Sequence, residues 1–333
     1  MDTLDKSNVF GSLQQFPDQC LSAWQESSHI TFTDDYKQVK NIVICGMGGS
    51  RFTPKTIKYL YQDQIRLPYE IIDDYHLPAY VNSDSLVVLS SYSGTTEEVI
   101  ACGQEAIKRG TKLTGITSGG PLADMLKNHP AYIFNPAHNP SSQPRVGGGY
   151  LLLGHLGLLH SLNLVTVTDA LDAISFIRQL KPQSYQPLAS ILKDKHVSII
   201  TAEFLTGFGN GFANQLNETA KLISDYRHIP ELNHHLMEGL TNPASYQQSG
   251  LFVFITSDLY SPKIIKRFAI TQEVVTKQNI ATHEIKLQAS TKLAQVLEAY
   301  TLSGFASYYL SQIYGIDPAA IPWVDYFKQQ LKT

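Results

Sequence analysis

The stretch that decides the fold is NIVICGMGGS, residues 41–50. Its first five residues contain a continuous apolar run rich in β-branched side chains, which is typical of a strand buried on both faces of a parallel sheet. Gly46 ends the run, and more glycines and Ser50 follow where a helix is predicted to begin. Glycine at such a place lets a ligand approach the backbone and frees amide groups to bind an anion. The stretch therefore predicts a strand, an anion-binding loop and a helix.

The glycine spacing does not fit the two common nucleotide-binding loops. Arg51 stands where the dinucleotide-binding pattern has its third glycine. No Gly-Lys-Ser/Thr follows, as a nucleotide P-loop would require. We reject both nucleotide interpretations, and the remaining alternative to an anion site is an ordinary tight turn between a strand and a helix.

The same strand signal recurs along the chain in two groups. The first group of predicted strands lies at residues 41–45, 69–72, 86–90, 112–117 and 131–134. The second group lies at residues 196–201, 251–255 and 283–287. Helices are predicted at residues 95–109, 170–180, 210–225 and 262–278. Strands that alternate with helices in this way predict two α/β units, each with a parallel sheet.

The domain organisation follows from this alternation and from the length of 333 residues, which is enough for two ordinary domains. Two prolines interrupt the helical pattern near residues 181–187 and mark the best linker candidate. We predict a helical lead-in at 1–38, a first domain at 39–180, a second domain at 187–315 and a C-terminal tail helix at 316–333.

A second glycine and hydroxyl cluster, SSYSGTTEE at residues 90–98, also stands between a predicted strand and a helix. One hydroxyl would suffice for an ordinary helix cap, which is the simpler interpretation. Several hydroxyls beside free amides at the carboxyl edge of a parallel sheet favour a bound phosphate instead. The candidate phosphate-binding residues of the two loops are Gly48, Gly49, Ser50, Ser91, Ser93 and Thr96.

Charge and composition limit the partners. Lys and Arg number 26 against 29 Asp and Glu, a formal net charge of −3, so the chain has no bulk field for nucleic acid or an anionic membrane. The amino terminus lacks the basic and apolar regions of a secretory signal, and no apolar run is long enough to span a bilayer. The three cysteines are far apart and favour a reducing compartment. We expect a cytoplasmic protein that binds no nucleic acid, membrane or metal.

The two loops together resemble the phosphate loops of sugar isomerase (SIS) domains, which bind phosphosugars. Further motifs, in order and spacing, are similar to the bifunctional phosphoglucose/phosphomannose isomerase family over roughly residues 40–331. These motifs are QPR at 143–145, NETAK at 217–221, PELNH at 230–234, GIDP at 315–318 and FK at 327–328.

This resemblance implies a fold, an activity and an assembly. The fold would be two doubly wound parallel-sheet SIS domains, each a flavodoxin-like three-layer α/β sandwich. The activity would be aldose-ketose isomerisation of glucose 6-phosphate, and of mannose 6-phosphate, to fructose 6-phosphate through a cis-enediol(ate). No cofactor would be needed, the small-molecule partner would be a phosphosugar, and the protein would be a homodimer.

Such chemistry needs a base over C1 and C2, a group that opens the sugar ring and a cation near the developing oxyanion. By resemblance, Glu218 is the base, His234 opens the ring, often across a dimer interface, and Arg145 stabilises the enediolate. Lys328 resembles the family's terminal active-site lysine, so the tail helix would return to the site. Apolar neighbours of Glu218 on its predicted helix could desolvate the carboxylate. The alternative is an exposed Glu218 paired with Lys221 at i+3.

The chain departs from the family pattern beside the predicted chemistry. His235 and Leu236 replace an Asn and a carboxylate after the active-site histidine, and Thr95 stands where the family has Asn. These departures bear on substrate identity more than on fold. Two alternatives therefore stay open: an amino-sugar phosphate deaminase or deglycase, and a phosphosugar-binding protein without catalysis.

Overall fold

The computed structural model describes residues 4–331. The first three residues of the predicted lead-in and the last two of the predicted tail lie outside this range. No described helix is both long and apolar enough to cross a membrane. Two separate parallel sheets, each with helices packed on it, form the framework, and this confirms the predicted α/β class.

The first sheet has five strands in the order β2-β1-β3-β4-β5, all parallel. They are β1 (Asn41–Gly46), β2 (Tyr69–Ile72), β3 (Ser85–Ser90), β4 (Lys112–Thr117) and β5 (Tyr132–Ile133). This is the flavodoxin-like order, in which ligands bind where the strand order reverses, between β1 and β3. The second sheet has four parallel strands in the order β7-β6-β8-β9. They are β6 (His196–Ala202), β7 (Ser224–Ile229), β8 (Gly250–Thr256) and β9 (Ala281–Lys286).

Helices precede, connect and follow the strands. They are α1 (Val9–Gln14), α2 (Phe16–Ser27), α3 (Gly49–Leu60), α4 (Glu97–Lys108), α5 (Gly120–Leu126), α6 (Gly148–Ser161), α7 (Ala170–Arg178), α8 (Gln186–Leu192), α9 (Thr206–Gln215), α10 (Leu236–Gly239), α11 (Tyr246–Ser249), α12 (Pro262–Lys277), α13 (Lys292–Ile313) and α14 (Pro322–Gln330). Both prolines of the predicted linker stand in the first turn of helical segments.

Both faces of the first sheet are covered because successive side chains of a strand point to opposite sides. Ile42 and Ile44 belong to the main core with residues of α3 and α6. Val43 and Cys45 belong to a second cluster with residues of α4 and α5. The continuous apolar run at residues 42–45 therefore packs against two helix layers, and the first sheet forms the three-layer sandwich that the family resemblance implies.

The two sheets are joined through α3 and α9. A Cβ on Gly207 would lie 2.3 Å from the backbone nitrogen of Thr56, so only glycine permits this close approach. Thr56 also hydrogen-bonds through its hydroxyl to Tyr300 of α13 at 2.8 Å. Arg51, directly after the first glycine loop, donates from Nη1 to Asn210 at 3.1 Å. These contacts place the start of α3 beside the second half of the chain.

The predicted helix at residues 210–225 is wrong from Lys221 onward. A π-helical turn, Leu216–Ala220, follows α9, and Lys221 then takes a left-handed conformation with φ 54° that ends the helix. Strand β7 follows, held to the turn by Asn217, whose side chain accepts from the Ser224 nitrogen at 2.9 Å. The prediction missed β7 because it is an edge strand with the sequence SDYRHI, which lacks a continuous apolar run.

Candidate active site

The two glycine and hydroxyl loops emerge side by side from the first sheet. Gly46 of β1 is paired in register with Ser90 of β3, so the loops that follow these strands begin at the same edge. The Tyr92 nitrogen donates a hydrogen bond to the Ser50 hydroxyl at 3.1 Å and links the loops directly. The two predicted phosphate loops therefore lie together at the point where the strand order reverses.

The second loop groups hydroxyls around a tight turn. The Gly94 nitrogen donates to the Ser91 hydroxyl at 3.1 Å, and that hydroxyl lies 2.7 Å from the Thr96 hydroxyl. The hydroxyls of Ser93 and Thr95 are 2.9 Å apart. The loop then leads into α4. Hydroxyl groups and a helix N-terminus in this arrangement can donate to several oxygens of one phosphate group.

Gly94 is required by the turn, and its replacement gives a sharp stability prediction. It has φ 71°, and a Cβ at this position would lie 1.8 Å from the carbonyl oxygen of Gly119. We expect Gly94→Ala to lower the free energy of unfolding by about 3 kcal/mol or more, because a backbone clash adds to left-handed strain. Gly110→Ala is the control, since Gly110 has φ 66° with open space around it and should lose only about 1 kcal/mol. Equal losses in urea denaturation would contradict the prediction.

Arg145 is buried at the start of the helical segment before α6, with 5% of its surface exposed. Its Nε donates to the Thr219 hydroxyl at 3.2 Å, and its Nη1 donates to Gln143 at 3.0 Å. Its Nη2 donates to the carbonyl oxygens of Pro318 and Ala319 at 2.5 and 2.8 Å. An arginine has five N–H donors, so these bonds leave one on Nη1 for a carboxylate or a ligand.

Glu218 is the carboxylate beside that group, with Oε2 3.7 Å from Nη1 of Arg145. It lies in the π-helical turn after α9, a type of distortion that is frequent at functional sites. The predicted apolar neighbours Phe212, Leu216 and Leu222 are buried. The Glu218 side chain itself is 36% exposed, so the expected enclosure of the carboxylate is wrong. The alternative ion pair with Lys221 is also not formed in the described chain, where Glu218 faces Arg145 instead.

Lys221 belongs to the same cluster, although the sequence suggested only a surface partner. Its Nζ donates to the carbonyl oxygens of Thr219 and Asp317 at 3.2 and 2.9 Å. Burial of the ammonium group, followed by repulsion from Arg145, lowers the pKa of Lys221 to about 8. The left-handed turn aims the side chain back toward the C-terminal segment, and no spacing rule in the sequence predicts such a turn.

The lowered pKa of Lys221 predicts how stability depends on pH. Between about pH 8 and the ordinary lysine pKa of 10.5, the unfolded chain keeps a proton that the folded chain has lost. The free energy of unfolding of the natural protein should therefore rise with pH in this window relative to Lys221→Met, which cannot titrate. Chemical denaturation of both proteins across the window measures this difference, and a difference that stays flat or falls would contradict the lowered pKa.

The arginine cluster and the phosphate loops are neighbours. A Cβ on Gly147 would lie 2.2 Å from the ring of Tyr92, so the ring packs against the backbone two residues after Arg145. Asn139 fixes this contact by donating to the Tyr92 hydroxyl at 2.7 Å and to the Gln143 carbonyl at 3.0 Å. The structure thus brings the phosphate loops, Arg145 and Glu218 to one region.

Gln215 is a further polar residue that the sequence did not indicate. It is 5% exposed and lines a small cavity with Arg145 and Gly148. Its Oε1 has no hydrogen-bond partner among the described residues. A buried acceptor without a partner is unusual, and the residue that carries it lines the same cavity as Arg145.

The structure does not join the other two predicted catalytic residues to this cluster within one chain. His234 is exposed in the helical turn Glu231–His234 after β7. Lys328 is exposed on α14, whose described residues are all exposed. In the part of the chain that the structure covers, neither forms a hydrogen bond or ion pair with Glu218 or Arg145. That part also holds no group of His, Cys, Asp or Glu suited to a metal ion.

Comparison with solved structures shows the fold of the chain. The chain superimposes on the tagatose-6-phosphate ketose/aldose isomerase of Escherichia coli with a TM-score of 0.73 at 14% identity, covering 95% of this chain and 97% of the other. At this identity the likeness shows the fold alone. The fold is that of the SIS phosphosugar isomerase domains, as the two loops had indicated.

Sequence comparison then shows which proteins are similar to this chain. Residues 183–331 match the family model for the bacterial phospho-glucose isomerase C-terminal SIS domain. The chain is 29% identical to a bifunctional phosphoglucose/phosphomannose isomerase of Caldicellulosiruptor bescii, covering 97% of this chain and 98% of the relative. It is 27% identical to the enzyme of the same name from Aquifex aeolicus, covering 90% and 92%. These matches confirm the resemblance to the bifunctional phosphoglucose/phosphomannose isomerases.

Proposed function

We propose that this protein is a cofactor-free isomerase that interconverts glucose 6-phosphate and fructose 6-phosphate and also accepts mannose 6-phosphate. The observation that carries the proposal is a carboxylate, Glu218, 3.7 Å from a buried guanidinium, Arg145, beside two adjoining hydroxyl-rich loops. The similarity to bifunctional isomerases over nearly the whole chain supports the same activity.

The phosphate of the sugar would bind at the two loops of the first sheet. Its oxygens would accept hydrogen bonds from the hydroxyls of Ser50, Ser91, Ser93 and Thr96 and from the backbone amides of Gly48 and Gly49. Neutral donors and a helix N-terminus hold a small dianion without a strongly basic surface, in agreement with the net charge of −3. Binding there would point the sugar carbons toward the neighbouring Arg145 region.

Glu218 would take the proton from one of the two adjacent sugar carbons and return it to the other. The one N–H of Arg145 that is not engaged within the chain would stabilise the oxyanion of the enediolate. Both C2 epimers give the same enediol, so acceptance of glucose and mannose substrates requires only a pocket that tolerates either configuration at C2. No redox group is needed, because the reaction moves hydrogen within one molecule.

We further propose that His234 opens the sugar ring, that Lys328 on α14 contacts the substrate, and that the working enzyme is a cytoplasmic homodimer. Both side chains are exposed in one chain, which supports roles that involve a second subunit or closure of the tail. The cysteines Cys20, Cys45 and Cys102 are free and buried, as is common in a reducing compartment. We keep the predicted division into two SIS domains, 39–180 and 187–315, as part of this proposal.

A panel of phosphosugars tests this proposal against its enzyme alternative. Purified protein should form fructose 6-phosphate from glucose 6-phosphate and from mannose 6-phosphate, without added metal or nucleotide. Release of ammonia or of a free amino acid from amino-hexose substrates, without hexose isomerisation, would favour the deaminase or deglycase. Tight binding of hexose phosphates without turnover would favour a binding protein.

A further inference from the structure

A second concave site lies far along the chain from the phosphate loops, between the short helix α10 and helix α12. The cavity has a volume of about 450 Å³, within the usual range for small-molecule sites. Its lining combines three cations with apolar and neutral polar side chains. The lining residues are Asn233, Met237, Lys263, Lys266, Arg267, Ile270 and Thr271.

The three cations have no acidic partner. Within residues 4–331, neither Lys263, Lys266 nor Arg267 forms an ion pair with a carboxylate. Among the acids of the neighbouring segments, Glu231 contacts His235, Glu273 contacts Lys277, and Glu238 of α10 forms no ion pair with the three cations. Three positive charges that line one concave surface are therefore not ion-paired within the described protein.

This placement of positive charge is unfavourable for the helix itself. Lys263 stands in the first turn of α12, at the positive end of the helix dipole. Lys266 and Arg267 follow at i+3 and i+4, spacings at which like charges repel. Glu203 offsets part of the charge by accepting from the Ser261 nitrogen at 3.1 Å, but Glu203 does not line the cavity. Charges that destabilise a helix and form no stabilising contact within the protein are typical of a binding site.

The polar wall is held in a fixed geometry. Asn233 donates from Nδ2 to the Thr271 hydroxyl at 2.7 Å and accepts at Oδ1 from Nη1 of Arg267 at 3.1 Å. These bonds orient the guanidinium, whose other N–H groups have no acceptor among the described residues. Met237 and Ile270 supply the apolar wall, and Ile270 is 47% exposed.

We propose that the cavity between α10 and α12 is a second anion-binding site, which takes a phosphorylated metabolite with an apolar portion. The phosphate would lie against Lys263, Lys266 and Arg267, near the N-terminal half of α12. The apolar portion would contact Met237 and Ile270. This proposal does not depend on the isomerase activity, because binding at the cavity can be measured apart from turnover.

Phenyl phosphate is a suitable probe, since it carries a phosphate and an apolar ring. We expect calorimetric titration of the full chain at low ionic strength to show binding that survives in Ser93→Ala/Thr96→Ala, in which the first phosphate site is weakened. The double variant Lys263→Gln/Lys266→Gln should lose this binding by about tenfold or more, as expected for loss of charged contacts. Lys127→Gln/Lys181→Gln, which removes two exposed charges elsewhere, should bind as the natural protein does.

Two further measurements separate a ligand site from a structural patch. Inorganic phosphate should bind more weakly than phenyl phosphate, and equal affinity would contradict the apolar contact. Without ligand, Lys263→Gln/Lys266→Gln should melt at the same or a higher temperature than the natural protein, because repulsion is removed; a lower melting temperature would contradict the proposed role. Phenyl phosphate binding that is unchanged in this variant, or that disappears in Ser93→Ala/Thr96→Ala, would overturn the second site.

Discussion

Replacing Glu218 by glutamine is expected to lower kcat for conversion of glucose 6-phosphate to fructose 6-phosphate by about 10²- to 10⁴-fold, the range for loss of a general base. Glutamine keeps the size and polarity of the side chain but cannot accept a proton. The phosphate loops are untouched, so the dissociation constant for fructose 6-phosphate should change by less than about threefold. Steady-state kinetics and calorimetric binding on the same preparation measure the two effects separately.

The control for this variant is Glu273→Gln, which removes a surface carboxylate that pairs with Lys277. It should leave kcat and binding unchanged. If Glu218→Gln retained kcat, Glu218 would not be the base, whatever the sugar. If it lost binding and kcat together, the carboxylate would act in holding the substrate instead of moving the proton.

Replacing Arg145 by lysine is expected to have the second largest effect. A lysine keeps the charge but cannot reproduce the planar fork that bonds Thr219, Gln143 and two carbonyl oxygens at once. We expect kcat/KM to fall by about 100-fold, as for loss of an oxyanion donor. The free energy of unfolding should fall by about 2–4 kcal/mol, because buried carbonyl groups of the C-terminal segment lose their donors.

Arg178→Lys is the matched control for this change. Arg178 is 47% exposed and contacts Asp18 at 2.8 Å on the surface. A surface pair contributes little, so the unfolding free energy of this variant should stay within about 0.5 kcal/mol of the natural protein. If Arg145→Lys were as stable and as active as Arg178→Lys, the guanidinium would neither hold the C-terminal segment nor stabilise the transition state.

The buried strands of both sheets were accessible from the sequence because their signal is local. A strand covered on both faces favours a continuous apolar run, and β1, β3 and β8 have one, whereas β6 has apolar residues with Ser198 among them. Edge strand β7 has polar side chains and a mixed burial pattern, which give no clear strand signal. The predicted helix therefore extends into the first residues of this strand. The break between them depends on the left-handed turn at Lys221, where no glycine marks it.

The part of the site that could be predicted from the sequence is the pair of loops that follow two strand ends. Hydroxyls and glycines after two neighbouring parallel strands are a local pattern, and the structure places both loops side by side. The partners of Arg145 were not predictable, because Pro318 and Ala319 lie more than a hundred residues away and reach it only through the packing of the C-terminal segment. Lys221 and Gln215 could not be predicted for the same reason. The lowered pKa of Lys221 and the unpartnered acceptor of Gln215 both arise from burial in the folded chain.

Proton NMR of glucose 6-phosphate with purified protein in deuterium oxide tests most directly whether this chain moves a proton between C1 and C2 of a phosphohexose through an enediol. Fructose 6-phosphate should appear with deuterium at C1, the remaining glucose 6-phosphate should gain deuterium at C2, and Glu218→Gln should do neither. Exchange and interconversion that are absent from the natural protein, with the sugar phosphate bound, would contradict this proton transfer.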